Sequence, residues 1–147
     1  MEIAVLACGC FWGPEIKFSK LEGIYRTEVG YCGGNSSKTS YKEVCTGDTN
    51  HAEVVKLEFD PNKISYEKIL EFFFQIHDPT TLNSQGPDFG TQYRSEIFYL
   101  NDNQKNIAEK ITKKINEKLS GKVVTKISLL KNYCIAEEYH QKYLDKN

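Results

Sequence analysis

The opening stretch of the chain constrains its fold more than any other. Ile3–Ala7 is a short apolar run, read as a buried strand, and it leads straight into Cys8-Gly9-Cys10-Phe11-Trp12-Gly13. Pro14 to Leu21 then takes on helical character, with Ile16, Phe18 and Leu21 set among charged residues. Proline is tolerated there because the N–H groups of a first helical turn have no partner in any case. A cysteine is thereby placed between a buried strand and a helix, followed at once by two aromatic side chains.

The rest of the chain continues the alternation. Gly23–Tyr31 reads as a second strand closed by Gly33-Gly34, Asn35–Thr39 as a polar loop, and Ala52–Phe59 as a third strand that stops at Asp60-Pro61. Ser65 is placed to cap a helix from Tyr66 to Ile76, with Ile69, Leu70, Phe73 and Ile76 as its inward stripe. His77–Tyr93 reads as a long loop, His77-Asp78-Pro79 as a helix stop, and Ser95–Leu100 as a fourth strand. Asp102 is expected to cap an amphipathic helix to about Leu119, with Gly121 ending it. Val123–Leu130 then forms a strand, and a short helix near Ala136–Tyr143 closes the chain with His140 on its polar face. The first six elements run β-α-β-β-α-β, the ferredoxin-like order. The fold class is therefore α+β, with a mixed sheet and helices mainly on one side.

A length of 147 residues fits a single domain over 1–147. A domain of that size buries roughly 68–70% of its unfolded surface and needs neither disulfides nor metal to fold. The formal net charge is −1, with Lys and Arg spread along the chain, which argues against nucleic acid or a membrane surface as partner. Val5-Leu6-Ala7-Cys8 faintly resembles a lipoprotein cleavage site, but no basic region precedes it and the apolar run is too short to span a bilayer. The expected location is cytoplasmic. Five cysteines in that setting point to thiol chemistry or metal binding before a disulfide framework.

Three features could carry chemistry. A thiol at a helix N-terminus meets unpaired N–H groups and the positive end of the helix dipole, so Cys10 could titrate well below ~8.5, in the range of roughly 3.5–7.5. Phe11 and Trp12 beside it suit an apolar group such as a methyl on sulfur. The alternative is that Cys8, Cys10 and Trp12 are core residues, and for Cys8 on its strand that is the preferred reading. Glu53, in His51-Ala52-Glu53, is either a carboxyl entering a buried strand with a raised pKa, fit to act as a general acid, or an exposed strand end. Tyr41, Tyr93 and Asp88 lie in polar loops, where a tyrosine hydroxyl can donate to a developing oxyanion.

Taken together, the segments resemble the A-type peptide methionine sulfoxide reductases over nearly the whole chain. The matching stretches are Gly9–Gly13, Gly30-Tyr31-Cys32-Gly33-Gly34, Tyr41–Gly47, His51-Ala52-Glu53, His77–Thr81, Gly90–Ser95 and Glu138–Gln141. The resemblance implies repair of oxidised proteins by reduction of the S epimer of methionine sulfoxide, free or protein-bound, with thioredoxin as the usual reductant and no metal or organic cofactor. Position by position, it implies Cys10 as nucleophile and Phe11 and Trp12 as the holders of the substrate methyl. It further implies Glu53 as the acid that protonates the sulfoxide oxygen, Tyr41 and Tyr93 as hydroxyls bonding that oxygen, and Asp88 as a polar residue of the same pocket. Cys10 would end as a sulfenic acid, which a second thiol condenses to a disulfide.

Two departures from the family pattern bear on recycling. Many members carry resolving cysteines in a glycine-rich C-terminal tail, whereas this sequence ends at Tyr143-Leu144-Asp145-Lys146-Asn147. Cys32, beside the permissive Gly33-Gly34, is then the first candidate for a resolving thiol and Cys134 the second. Cys45 belongs to the family pattern and says little about recycling; Cys8 is too near Cys10 for an easy bridge. Otherwise a small thiol or glutaredoxin would reduce Cys10 directly. Asn50 stands where the family has glycine, and asparagine tolerates the left-handed turn expected there. A metal-binding or chaperone module built on Cys8-Gly9-Cys10 with Cys45 or His51 is the rival, but it leaves Trp12, Glu53 and the tyrosines without a role.

Overall fold

The structure, a computed structural model, describes residues 1–146. Its centre is a six-stranded sheet built from β1 (Glu2–Cys8), β2 (Ile24–Cys32), β3 (Ala52–Phe59), β6 (Ser95–Tyr99), β7 (Lys126–Leu129) and β8 (Cys134–Ile135), in the spatial order β7-β6-β1-β3-β2-β8. The inner four strands are antiparallel neighbours, with Leu6 opposite Val55, Val29 opposite Val55 and Cys8 opposite Ser95. This is the ferredoxin-like arrangement that the element order implied. β7 adds in parallel to β6 and β8 antiparallel to β2, which makes the sheet mixed.

Alternation along the strands sorts side chains onto two faces. Ala4, Leu6, Tyr31, Val55 and Leu57 face the helices α1 (Trp12–Ser19), α3 (Tyr66–Gln75) and α4 (Asp102–Lys118), meeting Phe18, Ile69, Phe73 and Ile111 in the main core. Val5, Ala7, Cys32, Ala52, Val54 and Phe98 form a smaller cluster on the other face. Ser65 caps α3 as expected, accepting from the Lys68 N–H at 3.1 Å. At α4 the cap is Asn101, not Asp102. Asn101 holds extended backbone at φ −156° and its Oδ1 accepts from the Gln104 N–H at 2.9 Å, leaving Asp102 as the first helical residue.

Several short elements were not foreseen. The segment before β3 holds a single helical turn, α2 (Tyr41–Val44), capped by Ser40. The long loop after α3 folds into a two-stranded hairpin, β4 (Ser84–Gln85) and β5 (Asp88–Phe89), and a 3₁₀ turn at Thr91–Tyr93. The helix expected over Ala136–Tyr143 is a 3₁₀ turn at Glu138–His140 followed by α5 (Tyr143–Lys146). Among the described residues no helix is long and apolar enough to cross a membrane.

Side chains, rather than backbone ladders, fasten this last segment. Gln141 clamps Val29, accepting from its N–H and donating to its carbonyl, both at 2.9 Å. Glu15, buried in α1, accepts from the Thr27 hydroxyl at 2.9 Å and from the Lys142 N–H at 2.7 Å. The C-terminal segment is thereby drawn against α1 and the middle of β2.

Candidate active site

Cys10 occupies the link between β1 and α1. The link turns at Gly9, whose φ of +95° favours glycine, and a Cβ there would stand 2.8 Å from the Gln85 side chain. Gln85 in turn donates to the Asp78 carbonyl at 2.5 Å and the Thr81 hydroxyl at 3.2 Å, so the β4–β5 hairpin is fixed over the cysteine link. Cys10 is half-buried and its sulfur accepts from the Trp12 N–H.

The thiol is not depressed as its place near a helix start suggested. Burial pushes it up to about 11; the Trp12 N–H pulls the other way, and the negative charges of Glu53 and Asp88 add to the rise. One N–H at the head of an eight-residue helix is outweighed chiefly by desolvation. The resting protein therefore holds Cys10 as a thiol.

Glu53 is buried on the helix face of the sheet, 1% exposed, between Ala52 and Val54 that point the other way. One oxygen accepts from the Phe11 N–H at 3.2 Å and the other has no partner. Burial raises the carboxyl to about 8, with the Phe11 N–H opposing and Asp88 assisting. The exposed strand-end alternative is excluded, and at neutral pH the group is mostly a carboxylic acid. Asn50, at φ 58°, makes the left-handed turn that leads the chain into this strand.

Tyr41 begins α2 and Tyr93 ends the 3₁₀ turn, and their phenols meet. Tyr93 is pushed up to about 12, first by burial and then by the charges of Glu53, Cys45 and Asp88. Tyr41 is also raised, by burial and by the Cys45 thiol that it contacts. Both are neutral donors across the physiological range. Asp88, on β5, bears electrostatically on Cys10, Glu53 and Tyr93 together.

The aromatic side of the site is built with the C-terminal segment. Phe11 is buried, its ring 5.7 Å from Tyr31 and 5.2 Å from His140 between centroids. Trp12 stacks on Tyr143 at 3.9 Å and donates through its indole N–H to His140 Nδ1 at 3.1 Å. His140 is therefore a buried, neutral ring rather than part of a polar helix face; burial lowers its pKa.

Glu137 was missed altogether. It accepts from the Tyr31 hydroxyl at 2.8 Å and from the Tyr41 N–H at 2.9 Å, tying α2 to the sheet. Burial works against its charge, but these donors prevail and its pKa is lowered. Nothing in the run Ala136-Glu137-Glu138 distinguishes this carboxylate from a solvated one.

The candidate resolving thiols fall elsewhere. Cys32 is fully buried on the far face of the sheet, and its sulfur donates to the Lys131 carbonyl at 3.3 Å. The structure does not bring it to Cys10, because alternation along β2 sends Cys32 away from the face that Tyr31 and Glu53 occupy. Cys134 lies opposite Tyr31 on β8, its thiol directed to the Thr39 carbonyl at 3.6 Å. The site brings together Cys10, Phe11, Trp12, Tyr41, Glu53, Asp88 and Tyr93, with Cys45 at its edge.

Known proteins share this architecture. The profile of the family described as peptide methionine sulfoxide reductase matches residues 2–147. The peptide methionine sulfoxide reductase MsrA of Pelagibacter ubique is 80% identical over 146 residues, covering 99% of each chain. Mxr1 of Saccharomyces cerevisiae in its reduced form superposes with a TM-score of 0.95 at 47% identity, over 99% of this chain and 85% of that one. The same yeast protein in complex with Trx2 gives 0.69 at 28% identity, over 97% and 84%. With residues 2–147 accounted for in this way, the chain belongs to the peptide methionine sulfoxide reductase family, and its activity is the reduction of methionine sulfoxide.

Proposed function

We propose that Cys10 is the nucleophile of this reaction, acting within a single catalytic domain that spans 1–147. The Cys10 sulfur attacks the sulfoxide sulfur while Glu53, protonated, donates to the sulfoxide oxygen. The phenols of Tyr41 and Tyr93 hydrogen-bond the same oxygen as its negative charge grows. Because Cys10 starts as a thiol, its proton replaces the one Glu53 gives up. The oxygen then passes from the substrate sulfur to Cys10 as the S–O bond and the transient S–S bond to that sulfur break. Methionine leaves, Cys10 is left as a sulfenic acid, and the two electrons gained by the substrate come from the cysteine.

Phe11 and Trp12 hold the substrate methyl, and Asp88 supplies a polar wall on the Cys10 side. The S epimer is the substrate, in free methionine or in oxidised proteins whose repair the enzyme performs. A cytoplasmic thioredoxin reduces the oxidised enzyme, as the yeast relative's complex with Trx2 suggests by analogy.

The observation that carries this reading is the buried Glu53 carboxyl, one oxygen unpartnered, raised to about 8 and electrostatically coupled to Cys10. The test is a single turnover of pre-reduced protein with each epimer of methionine sulfoxide and no reductant. Wild type yields methionine from the S epimer and Cys10→Ser yields none. Methionine from Cys10→Ser at a comparable rate would sink the mechanism.

A further inference from the structure

The sulfenic acid at Cys10 needs a partner thiol, and most of the cysteines are badly placed to supply one. Cys8 is buried on β1 opposite Ser95, Cys32 faces the far side of the sheet, and Cys134 lies beyond the Tyr31 strand. Cys45 differs on each count. It is exposed, and it follows the last residue of the single-turn helix α2. Its N–H donates to the Tyr41 carbonyl at 3.0 Å, so the two residues stand one helical turn apart on the same face. Their side chains meet, and Tyr93 and Glu53 both feel or exert charge at this sulfur. Glu53, 1% exposed and with one oxygen unpartnered, acts electrostatically on both Cys10 and Cys45, so the two sulfurs stand around one buried carboxyl.

We infer that Cys45 is the resolving thiol, condensing with the Cys10 sulfenic acid from the Tyr41–Tyr93 wall once methionine has left. This rests on the reading of Cys10 as nucleophile. The Cys45 sulfur attacks the Cys10 sulfur, the S–S bond forms, and the S–OH bond breaks. The hydroxide takes the proton lost by the Cys45 thiol and leaves as water. No further oxidant enters, because the sulfoxide has already oxidised Cys10.

The local fold permits the approach. A disulfide requires Cα atoms within about 7 Å, an approach that the α2 turn is built to allow. One helical turn is an unstable nucleus by itself. This one is held at its start by the Ser40 cap at 3.3 Å and by Glu137, ends at Val44, and is followed two residues after Cys45 by Gly47. Gly47 is at φ +81° with nothing within 4 Å of its Cβ position. Such a segment belongs to the low-stability end of a structure and can open without disturbing the sheet.

The experiment gives pre-reduced full-length protein excess methionine S-sulfoxide without reductant, then counts methionine formed and thiols lost and maps linked peptides by mass spectrometry. Wild type is expected to lose two thiols per methionine and to show a Cys10–Cys45 linkage. Cys45→Ser should lose one, halving the ratio, with Cys10 trapped by a 1,3-dione probe, while Cys32→Ser and Cys134→Ser still lose two. Two thiols lost per methionine in Cys45→Ser, or one in wild type, overturns the assignment. Methionine produced by Cys45→Ser itself shows that the variant is folded. No methionine from any of the proteins would instead overturn the Cys10 mechanism, and this inference with it.

Discussion

Two carboxylates are buried in the same sheet, on opposite faces, and they are treated in opposite ways. Glu96 on β6 is 4% exposed and both its oxygens are engaged: Arg94 Nε donates to one at 2.6 Å and the Ser128 hydroxyl to the other at 2.6 Å. Glu53 on β3 is 1% exposed, accepts one long hydrogen bond from Phe11 and leaves its second oxygen bare. Burial is common to both, so burial does not make an acid catalyst. What separates them is the partner set. A buried charge persists when it is paired and hydrogen-bonded, and a buried carboxyl without a cation keeps its proton. The paired carboxylate also serves the unpaired one. Arg94, held by Glu96, donates to the Thr91 carbonyl at 2.9 Å and the Asn50 carbonyl at 3.1 Å, joining the turn that carries Tyr93 to the loop that precedes Glu53.

Removing each carboxyl in turn sharpens the contrast most. Glu53→Ala should slow single-turnover reduction by about 10²–10⁴-fold, the usual worth of a general acid, with little loss of stability. Glu96→Ala should destabilise the fold by about 3–5 kcal/mol, because it strands the buried Arg94 guanidinium without its counter-ion. Single-turnover rates and urea midpoints of the two variants decide the matter. Equal losses of stability would erase the distinction between a catalytic and a structural carboxylate.

The second way to break the comparison is pH. Glu53 titrates near 8 in the folded protein against an ordinary 4.5, so the donor form is lost as pH rises through about 8, and the rate should fall there. Stability follows the same group. Between about 4.5 and 8 the unfolded chain has released this proton and the native chain still holds it. Stability contributed by the raised carboxyl is therefore full below 4.5 and is lost as pH climbs to about 8. Glu53→Gln cannot titrate at this position. Relative to wild type it should gain in urea midpoint as pH rises across that window, and a constant difference between the two would show that Glu53 is ionised throughout. Glu53→Gln should also lower the pH at which Cys10 is alkylated by iodoacetamide, since the Glu53 charge is one of the influences raising that thiol.

The sequence made these residues legible to different depths. β3 reads correctly from Ala52 to Phe59 because its apolar run is bounded by Asp60-Pro61, and the period of the strand assigns Glu53 a buried side once the core face is known. The order of the long elements gave the fold class for the same reason. The two-residue strands β4, β5 and β8 have no periodicity to read; tertiary pairing makes them. The face on which Cys32 falls was legible in principle from its offset to Tyr31, but Gly33-Gly34 suggested freedom where a buried strand end stands. Glu137 and Gln141 act across 96 to 112 residues of sequence, and no local pattern announces such contacts. The raised Cys10 thiol belongs to the same class: it depends on Asp88 and Glu53, which only the folded chain brings near.

The smallest expected effect tests whether the Glu96 network is one unit. Ser128 on β7 contributes a single hydroxyl to the Glu96 oxygen that Arg94 Nε does not bond, and it has no place among the residues of the site. Ser128→Ala should cost about 1.5–3 kcal/mol, the net worth of one hydrogen bond to a charged group, because the Arg94 pairing survives and keeps the carboxylate charged. Its single-turnover rate should match wild type. A loss approaching that of Glu96→Ala would mean instead that the ion pair is held only by its third member. The parallel strand β7 would then be part of what positions Tyr93 and Glu53, and the reduction rate of Ser128→Ala should fall along with its stability.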